Sequence, residues 1–451
     1  MKGIIIMPKC QHIVIALSLL LAAAVESPAQ ILEAVELIDD QPPLSTVTSI
    51  EISPDGNHLY AVSPAAQLVS AYARNAQTGT LTLVNSEPYP TTGIGMGSGL
   101  FGSQAALIQG ASFLLVGSLF ENGSDLASYQ RDELSGALTP LDNALLSLSA
   151  DQRMLSFAVS PAGDFLYVLV LNIIDPKSTT ERTIDLRSYA IDDSAAISLM
   201  DTRTIQDTGP AEVGETLLIS PDGQDLYVSG RRGLFTSDNR PGLHFSRNAA
   251  TGALTLLGTL DALSQTGQLA AAAFSMDGSE LFYQVTVPSD PPFSQIGLLQ
   301  RESGTGILNA GATSPAEFIN RLDIDDTLAL AANGRLLAST DRLGLFLTPS
   351  PGGDFLNLET QISNGLTADT RTRAVAFSPD EAFLYVALDG TVSADDGMLI
   401  LSNRGLLEPP AVPTLSAPAS LLLMALLLLT AAAYYQANRS SRRARLEIGS
   451  Q

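Results

Sequence analysis

Five cations stand in two successive loops of this chain. Lys177 and Arg182 lie in one, and Arg231, Arg232 and Arg240 lie in the next. The whole sequence holds 24 Lys and Arg against 47 Asp and Glu, and Lys177 is the only lysine beyond residue 29. A guanidinium grips a carboxylate or phosphate through two parallel hydrogen bonds. The cluster therefore suits an anionic small molecule or an acidic protein ligand. The competing use is local pairing with Asp175, Glu181, Asp185 and Asp238. A second group, Arg153, Glu212, Glu215, Arg371 and Arg373, stands at or just before the starts of repeated strands. Mixed carboxylates and guanidiniums at a channel mouth would serve either a binder or a hydrolase.

Other chemistry is sparse. His58 and His244 are the only histidines beyond residue 29, and each falls on a separate expected strand. A zinc site takes three or four His, Cys or carboxylate ligands, and none are clustered in the sequence. Cys10 is the only cysteine and lies in the N-terminal segment, so the rest of the chain has no disulfide or thiolate nucleophile. There is no G-x-S-x-G elbow. Gly97–Gly102 matches G-x-G-x-x-G but lacks the strand before and helix after that make the pattern bind phosphate. Asp323, Asp325 and Asp326 lack the glycine-bearing loop of a calcium site. No metal and no cofactor are expected.

The formal net charge is −23. Residues 1–29 carry +1 and residues 412–451 carry +3, which leaves −27 on the middle of the chain. Such a body repels nucleic acid, so no nucleic-acid partner is expected.

What positions these residues is a repeat. Residues 52–63 (ISPDGNHLYAVS) read as strand, tight turn, strand. Pro presets φ, Asp accepts a hydrogen bond from its own turn, and Gly takes a positive φ. The unit returns at 159–169, 219–230, 274–285 and 377–388, and more weakly at 107–118 and 330–340. Tyr60, Leu115, Tyr167, Tyr227, Phe282, Leu337 and Tyr385 hold one place in it, 48 to 60 residues apart. A second unit follows, as YARNAQTGTLT, YQRDELSGALT, FSRNAATGALT and LQRESGTGILN. In these Arg74, Arg131, Arg247 and Arg301 correspond, as do Gly79, Gly136, Gly252 and Gly306. Each repeat thus offers four antiparallel strands, a to d. A period near 50 with four strands fits an all-β, seven-bladed β-propeller of four-stranded antiparallel blades. The a–b and c–d turns are short. The long segments 84–104, 172–184, 230–241 and 286–296 share the opposite face, where the cations lie and where function concentrates on a rigid scaffold.

The SPDG-type turns, LYV strands and TGxLT hairpins together resemble the YVTN or lactonase-like seven-bladed propeller family over residues 45–408. The resemblance implies architecture, and it implies lactonase-like hydrolysis of a small lactone or sugar acid as an alternative activity. No catalytic residue follows from a motif. After the Pro-rich stretch 409–418, Val412-Pro413-Thr414-Leu415, the uncharged run 419–435 and Arg439, Arg442, Arg443 and Arg445 resemble an IPTL-type C-terminal sorting signal of Gram-negative bacteria. That resemblance implies a membrane peptidase as partner. The apolar run is at the short end for a transmembrane helix, and the basic 436–451 tail would stay cytoplasmic. At the other end, Lys2, Lys9, the apolar Ile13–Val25 stretch and Ser27-Pro28-Ala29 read as a signal peptide, 1–29, helical and cleaved before Gln30.

The expectation is therefore an exported propeller, 30–408. It would lie in the periplasm or on the outer surface, at least transiently anchored in the inner membrane, and act as a binding or interaction module. One detail concerns closure. The last repeat runs out of residues for a fourth strand, whereas Ile31–Asp39 reads as a strand with no place in the first repeat. The two are expected to pair antiparallel.

Overall fold

In a computed structural model of the chain, the described residues belong to one compact unit within residues 1–404. The structure describes residues 33–39, 44–89, 103–108, 110–119, 125–174, 182–207, 216–229, 231–232, 239–240, 242–260, 268–287, 293–313, 318–319, 328–330, 336–339, 344–347, 356–358, 371–389 and 397–402. The expected signal helix, sorting motif and transmembrane helix lie outside these residues.

The chain folds as an all-β propeller of four-stranded antiparallel blades. The described strands make six four-stranded sheets, one five-stranded sheet and a two-stranded hairpin. The sheets are named here by the repeat that supplies them. In sheet 5 the extra strand is a split outer strand. Leu308–Thr313 and Phe318–Ile319 pair with different stretches of Phe293–Arg301. Sheet 7 takes its outer strand from the other end of the chain. Glu33–Asp39 runs antiparallel to Gly397–Ser402, from Glu33 opposite Ser402 to Asp39 opposite Gly397.

Strand b of each repeat reads as an uninterrupted apolar run because both of its faces are covered. In His58–Ser63 every residue is buried. Leu59 and Ala61 pack toward sheet 7, and Tyr60 and Val62 pack toward sheet 2. The core is accordingly a ring of separate clusters, each drawn from two adjacent sheets. Outer strands meet solvent and read differently: Leu83, Leu199 and Leu256 are exposed.

The a–b turn recurs in atomic detail. Gly56 N–H donates to the Ser53 carbonyl, and Ser53 Oγ accepts from His58 N–H. In the six described turns the fourth residue takes a positive φ, from +58° to +76°: Gly56, Ala111, Gly163, Gly223, Gly278 and Glu381. Glu381 bears the cost that glycine avoids. Glu381→Gly is therefore expected to raise stability by about 0.5–1 kcal/mol, allowing for the entropy glycine adds to the unfolded chain. Denaturant titration reads this directly.

The repeated Tyr, Arg and Gly form a clasp between neighbouring sheets. Tyr167 Oη donates to the Gly252 carbonyl (2.8 Å) and accepts from Arg247 Nε (2.8 Å). Arg247 Nη1 donates to the Gly223 carbonyl of its own sheet's turn. Its Nη2 reaches Asp164 in the preceding sheet's turn. The same arrangement links Tyr60 with Arg131 and Gly136, Tyr227 with Arg301 and Gly306, and Tyr385 with Arg74 and Gly79. The last joins sheet 7 to sheet 1, 306 residues apart in sequence for Tyr385 and Gly79. Gly79 has φ +76°, and a Cβ there would lie 2.3 Å from the Phe383 ring, so the hairpin needs glycine for both conformation and space.

Where the tyrosine is missing, the arginine is missing too. Sheet 2 has Leu115, and sheet 3 has Ile191 in the arginine's place; both are buried in one apolar cluster with Ala195 and Phe157. A guanidinium there would face no hydroxyl and cost several kcal/mol to bury.

Candidate functional site

The described candidate residues stand at the ends of the sheets that carry the b–c and d–a connections. Between strands b and c of sheet 4 the chain makes a small hairpin, Arg231–Arg232 against Asn239–Arg240. Arg231 stands directly opposite Arg240, and Arg232 opposite Asn239. The hairpin lies beside the inner strand of sheet 5, Gln268–Phe274. Two like charges at directly opposed positions are destabilising in a ladder without a counter-ion. In sheet 3, Arg182 opens strand c opposite Ile173. Lys177, Glu212 and Glu215 lie outside the described residues, as do Gly97–Gly102 and Asp323–Asp326.

Strand a of sheet 7 is longer than the sequence suggested, Arg371–Phe377, so Arg371 and Arg373 lie on it and not before it. Arg153 and Arg371 hold the same register: each faces the residue four past the tyrosine of strand b, Leu171 and Asp389. Arg153 is half-buried. Arg373 sits in a bulge between Thr372 and Ala374 and is 4% exposed. Its Nε and Nη2 both donate to Asp389, at 2.8 and 2.6 Å. That burial makes it an internal ion pair of the sheet end. The same bulge recurs at Met154/Ser156 and Leu269/Ala271. Bulges of this kind re-aim side chains at sheet ends and next to sites.

Inner strands are tied to one another by side chains that reach a neighbour's backbone. Gln104 accepts from Phe157 N–H and donates to its carbonyl. Ser156 Oγ accepts from Leu217 N–H. Glu51 belongs to this series, with its carboxylate accepting from Leu107 N–H. Its counterparts opposite the strand b anchor are Ala106, Ala158, Leu218, Ala273, Leu330 and Ala376. It is thus the only charged residue in that row. Its side chain is half-buried on the inner strand. Burial, partly offset by the Leu107 N–H, pushes its carboxyl up to about 7. Such a group holds or releases a proton near neutrality. The signal for it in the sequence was the break in an otherwise apolar register, which anchor spacing alone did not weigh.

The sign of its effect on stability follows. Unfolded, the group titrates near 4.5; folded, near 7. Below 4.5 both states are protonated and the burial is free. As pH rises to 7 the unfolded chain releases its proton first, and stability falls by about 3 kcal/mol in all. Glu51→Gln keeps the acceptor. The variant is expected to match the parent at pH 4 and exceed it by roughly 1–3 kcal/mol at pH 8. Urea titrations at the two pH values measure the difference.

Both described histidines are internal. His58 Nδ1 accepts from Arg131 Nη2 (3.0 Å); burial and that guanidinium lower its pKa and keep it neutral. His244 Nε2 lies 2.8 Å from Asp225 Oδ1, and its ring stacks on Tyr227 at 4.8 Å. Burial pushes the Asp225 carboxyl up, but hydrogen bonds from His244 and Arg301 outweigh it and leave the pKa lowered. With His244 4% exposed and Arg301 bonded to Asp225, this dyad braces the junction of sheets 4 and 5. Among the described residues no three His, Cys, Asp or Glu gather as a metal site, and no helix is long and apolar enough to cross a membrane.

No protein-family model and no curated protein sequence matches the chain. Many solved structures resemble it in fold. The C-terminal WD40 domain of Sif2 aligns with 83% of this chain and 99% of its own, at 13% identity and a TM-score of 0.50. The periplasmic gluconolactonase of Pseudomonas aeruginosa aligns with 74% of this chain and 92% of its own, at 17% identity and a TM-score of 0.49. An oligogalacturonate lyase solved with manganese aligns with 82% and 92%, at 12% identity and 0.48. At these identities the likeness is one of fold, and by fold the chain is a β-propeller.

Proposed function

We infer that this chain is an exported seven-bladed propeller that acts as a binding module for an anionic ligand, small molecule or protein. Counting sheet 5, with its split outer strand, as one blade gives seven, the number of sequence repeats. The observation that carries the ligand class is the Arg231–Arg240 opposition on the long-loop face. Arg182, which the structure places at the start of strand c of sheet 3 and not in the loop before it, adds a cation at the b–c end of the neighbouring blade; Lys177 precedes it in sequence. Other arginines serve the scaffold: Arg74 pairs with Asp380, Arg247 with Asp164 and Arg301 with Asp222. The acidic body discourages non-specific anions, so an anion that binds needs several fixed donors.

The test is titration calorimetry with gluconate, citrate and inorganic phosphate. Arg231→Ala with Arg232→Ala is expected to weaken binding at least tenfold while stability changes by no more than ~0.5 kcal/mol, the usual range for surface substitutions. Unchanged affinity, or a loss of several kcal/mol in stability, overturns the assignment.

A second reading, hydrolysis of a small lactone at the channel, draws on one observation: Glu51, near pKa 7 on an inner strand. Under it, Glu51→Gln abolishes lactone hydrolysis. Under the binding reading, neither parent nor variant hydrolyses a lactone.

Export and anchoring are part of the same proposal. The membrane contact is the 419–435 segment, and the Val412–Leu415 motif is the site read by a sorting peptidase. Sequencing of the mature N-terminus should begin at or near Gln30; a start at Met1 removes the export reading.

A further inference from the structure

The outermost strand of each sheet has one ladder edge without a neighbour in the sheet, and such an edge is a template for pairing with another chain. Six of the seven sheets blunt it. In sheet 1 the strand Leu81–Pro88 ends in a proline, and in sheet 2 Leu138–Ser147 contains Pro140. Proline has no N–H to give to a new ladder. Sheets 4 and 5 carry Gly258 and Gly311 in Leu254–Leu260 and Leu308–Thr313. Glycine inside a strand weakens it. Sheet 6 offers only the three residues Leu356–Leu358. In sheet 7 Glu33–Asp39 brings Glu33, Glu36 and Asp39, which would set like charges against a second copy.

The outer strand of sheet 3 has none of these devices except a bulge at each end of its exposed stretch. Ile197–Asp207 has 11 residues, more than any other described strand, and contains no Pro, Gly or Lys. Ser198 to Thr202 are all exposed, Leu199 at 59% and Met200 at 45%. Ser188 and Tyr189 of strand c face Asp201 and Leu199, so Met200 is the extra residue of one bulge. Ile184 and Asp185 face Gln206 and Thr204, so Ile205 is the extra residue of the other. Between the bulges Asp201–Thr204 is regular. Its charges are balanced about Thr202: Arg203 Nε donates to Asp201 Oδ2 at 2.7 Å, and both side chains are open to solvent.

We propose that this strand is a self-association edge: it pairs antiparallel with the same strand of a second copy, about a two-fold axis at Thr202. In that register Asp201 of each copy faces Arg203 of the other, and Met200 faces Thr204. Two opposite-charge pairs then stand directly across the ladder, which favours it. A slip of two residues either way would set Asp201 against Asp201 or Arg203 against Arg203, and parallel pairing in register would do both. The charges thus select one register and one direction. The contact also covers Leu199 and Met200 of both copies. Because the two-fold uses up both edges, association closes at two copies, and the bulges keep the pairing from running further. So short a contact makes a weak dimer that depends on concentration. The proposal goes beyond the anion-binding reading and does not rest on it.

Sedimentation velocity on the full chain over about 1–200 μM tests it. The parent is expected to pass from monomer toward dimer in that range. Asp201→Arg, and separately Arg203→Asp, should each weaken association at least tenfold, because each sets two like pairs across the axis. Asp201→Arg with Arg203→Asp restores both pairs with the charges exchanged and should recover the parent's association. Melting temperatures should stay the same in all three, since the substitutions are at solvent-facing positions. Leu83→Arg, on the outer strand of sheet 1, should leave the dimer intact. A parent that stays monomeric to the top concentration overturns the proposal. So does association that the single substitutions leave unchanged, that the double variant fails to recover, or that Leu83→Arg abolishes.

Discussion

Removal of residues 30–40 is expected to destabilise the whole propeller and not simply shorten its N-terminus. Glu33–Asp39 supplies the outer strand of sheet 7, so its loss leaves Gly397–Ser402 as a bare edge. That strand is buried over Gly397–Leu401, and Met398 and Ile400 belong to the cluster between sheets 7 and 1. The ladder comprises six paired positions. At about 0.5–1.5 kcal/mol net per hydrogen bond, and after the entropy of ordering the segment, the loss is on the order of 3 kcal/mol or more. The bare edge is also a template for pairing with another chain, so the truncated protein should self-associate. Thermal unfolding of the truncated and parent proteins decides it; equal melting temperatures reject the closure. A control separates backbone from side chain. Val35 and Leu37 are exposed, and Val35→Thr with Leu37→Thr should change stability by less than ~0.5 kcal/mol.

Arg247→Ala is expected to cost about 1–3 kcal/mol, the range for leaving buried hydrogen-bonding groups short of a partner. The substitution removes a donor from the Tyr167 hydroxyl, which keeps its bond to the Gly252 carbonyl, takes the guanidinium donor from the Gly223 carbonyl, and removes a cation from above the Phe165 ring, 5.1 Å away. Tyr167→Leu alone also costs, because it leaves a buried guanidinium without its hydroxyl partner. Tyr167→Leu with Arg247→Ile reproduces the Leu115–Ile191 junction. The double variant should therefore lose less than Tyr167→Leu and Arg247→Ile lose in sum, by roughly 0.5–3 kcal/mol, the range for residues in direct contact. Guanidinium titrations of the four proteins give this coupling; strict additivity would show that Tyr and Arg do not act as one unit.

These two expectations bear on how the chain can be read. Strand order within each repeat was legible because local chemistry dictates it. The Ser-Pro-Asp-Gly turn closes on itself through residues no more than five apart, and the apolar run of strand b follows from burial on both faces. The unpartnered strand at 31–39 and the missing fourth strand of the last repeat were also visible in the sequence, and the structure pairs Glu33–Asp39 with Gly397–Ser402. The recurring Arg of the TGxLT hairpin was visible as a pattern but not as a role, because its partners lie in another repeat: 80 residues away for Arg247 and Tyr167, 311 for Arg74 and Tyr385.

The candidate site divides in the same way. The excess of arginine in two loops is a property of composition and can be counted in the sequence. That Arg231 faces Arg240 across a ladder is a property of the loop's own fold. Arg373 looked equivalent to Arg371 in sequence, yet a one-residue bulge turns it into the sheet end against Asp389. Glu51 looked like one polar residue in a strand. Only the closing of the ring surrounds it with neighbouring inner strands and moves its proton affinity toward neutrality, since desolvation depends on what the rest of the chain places around a group and not on its neighbours in sequence.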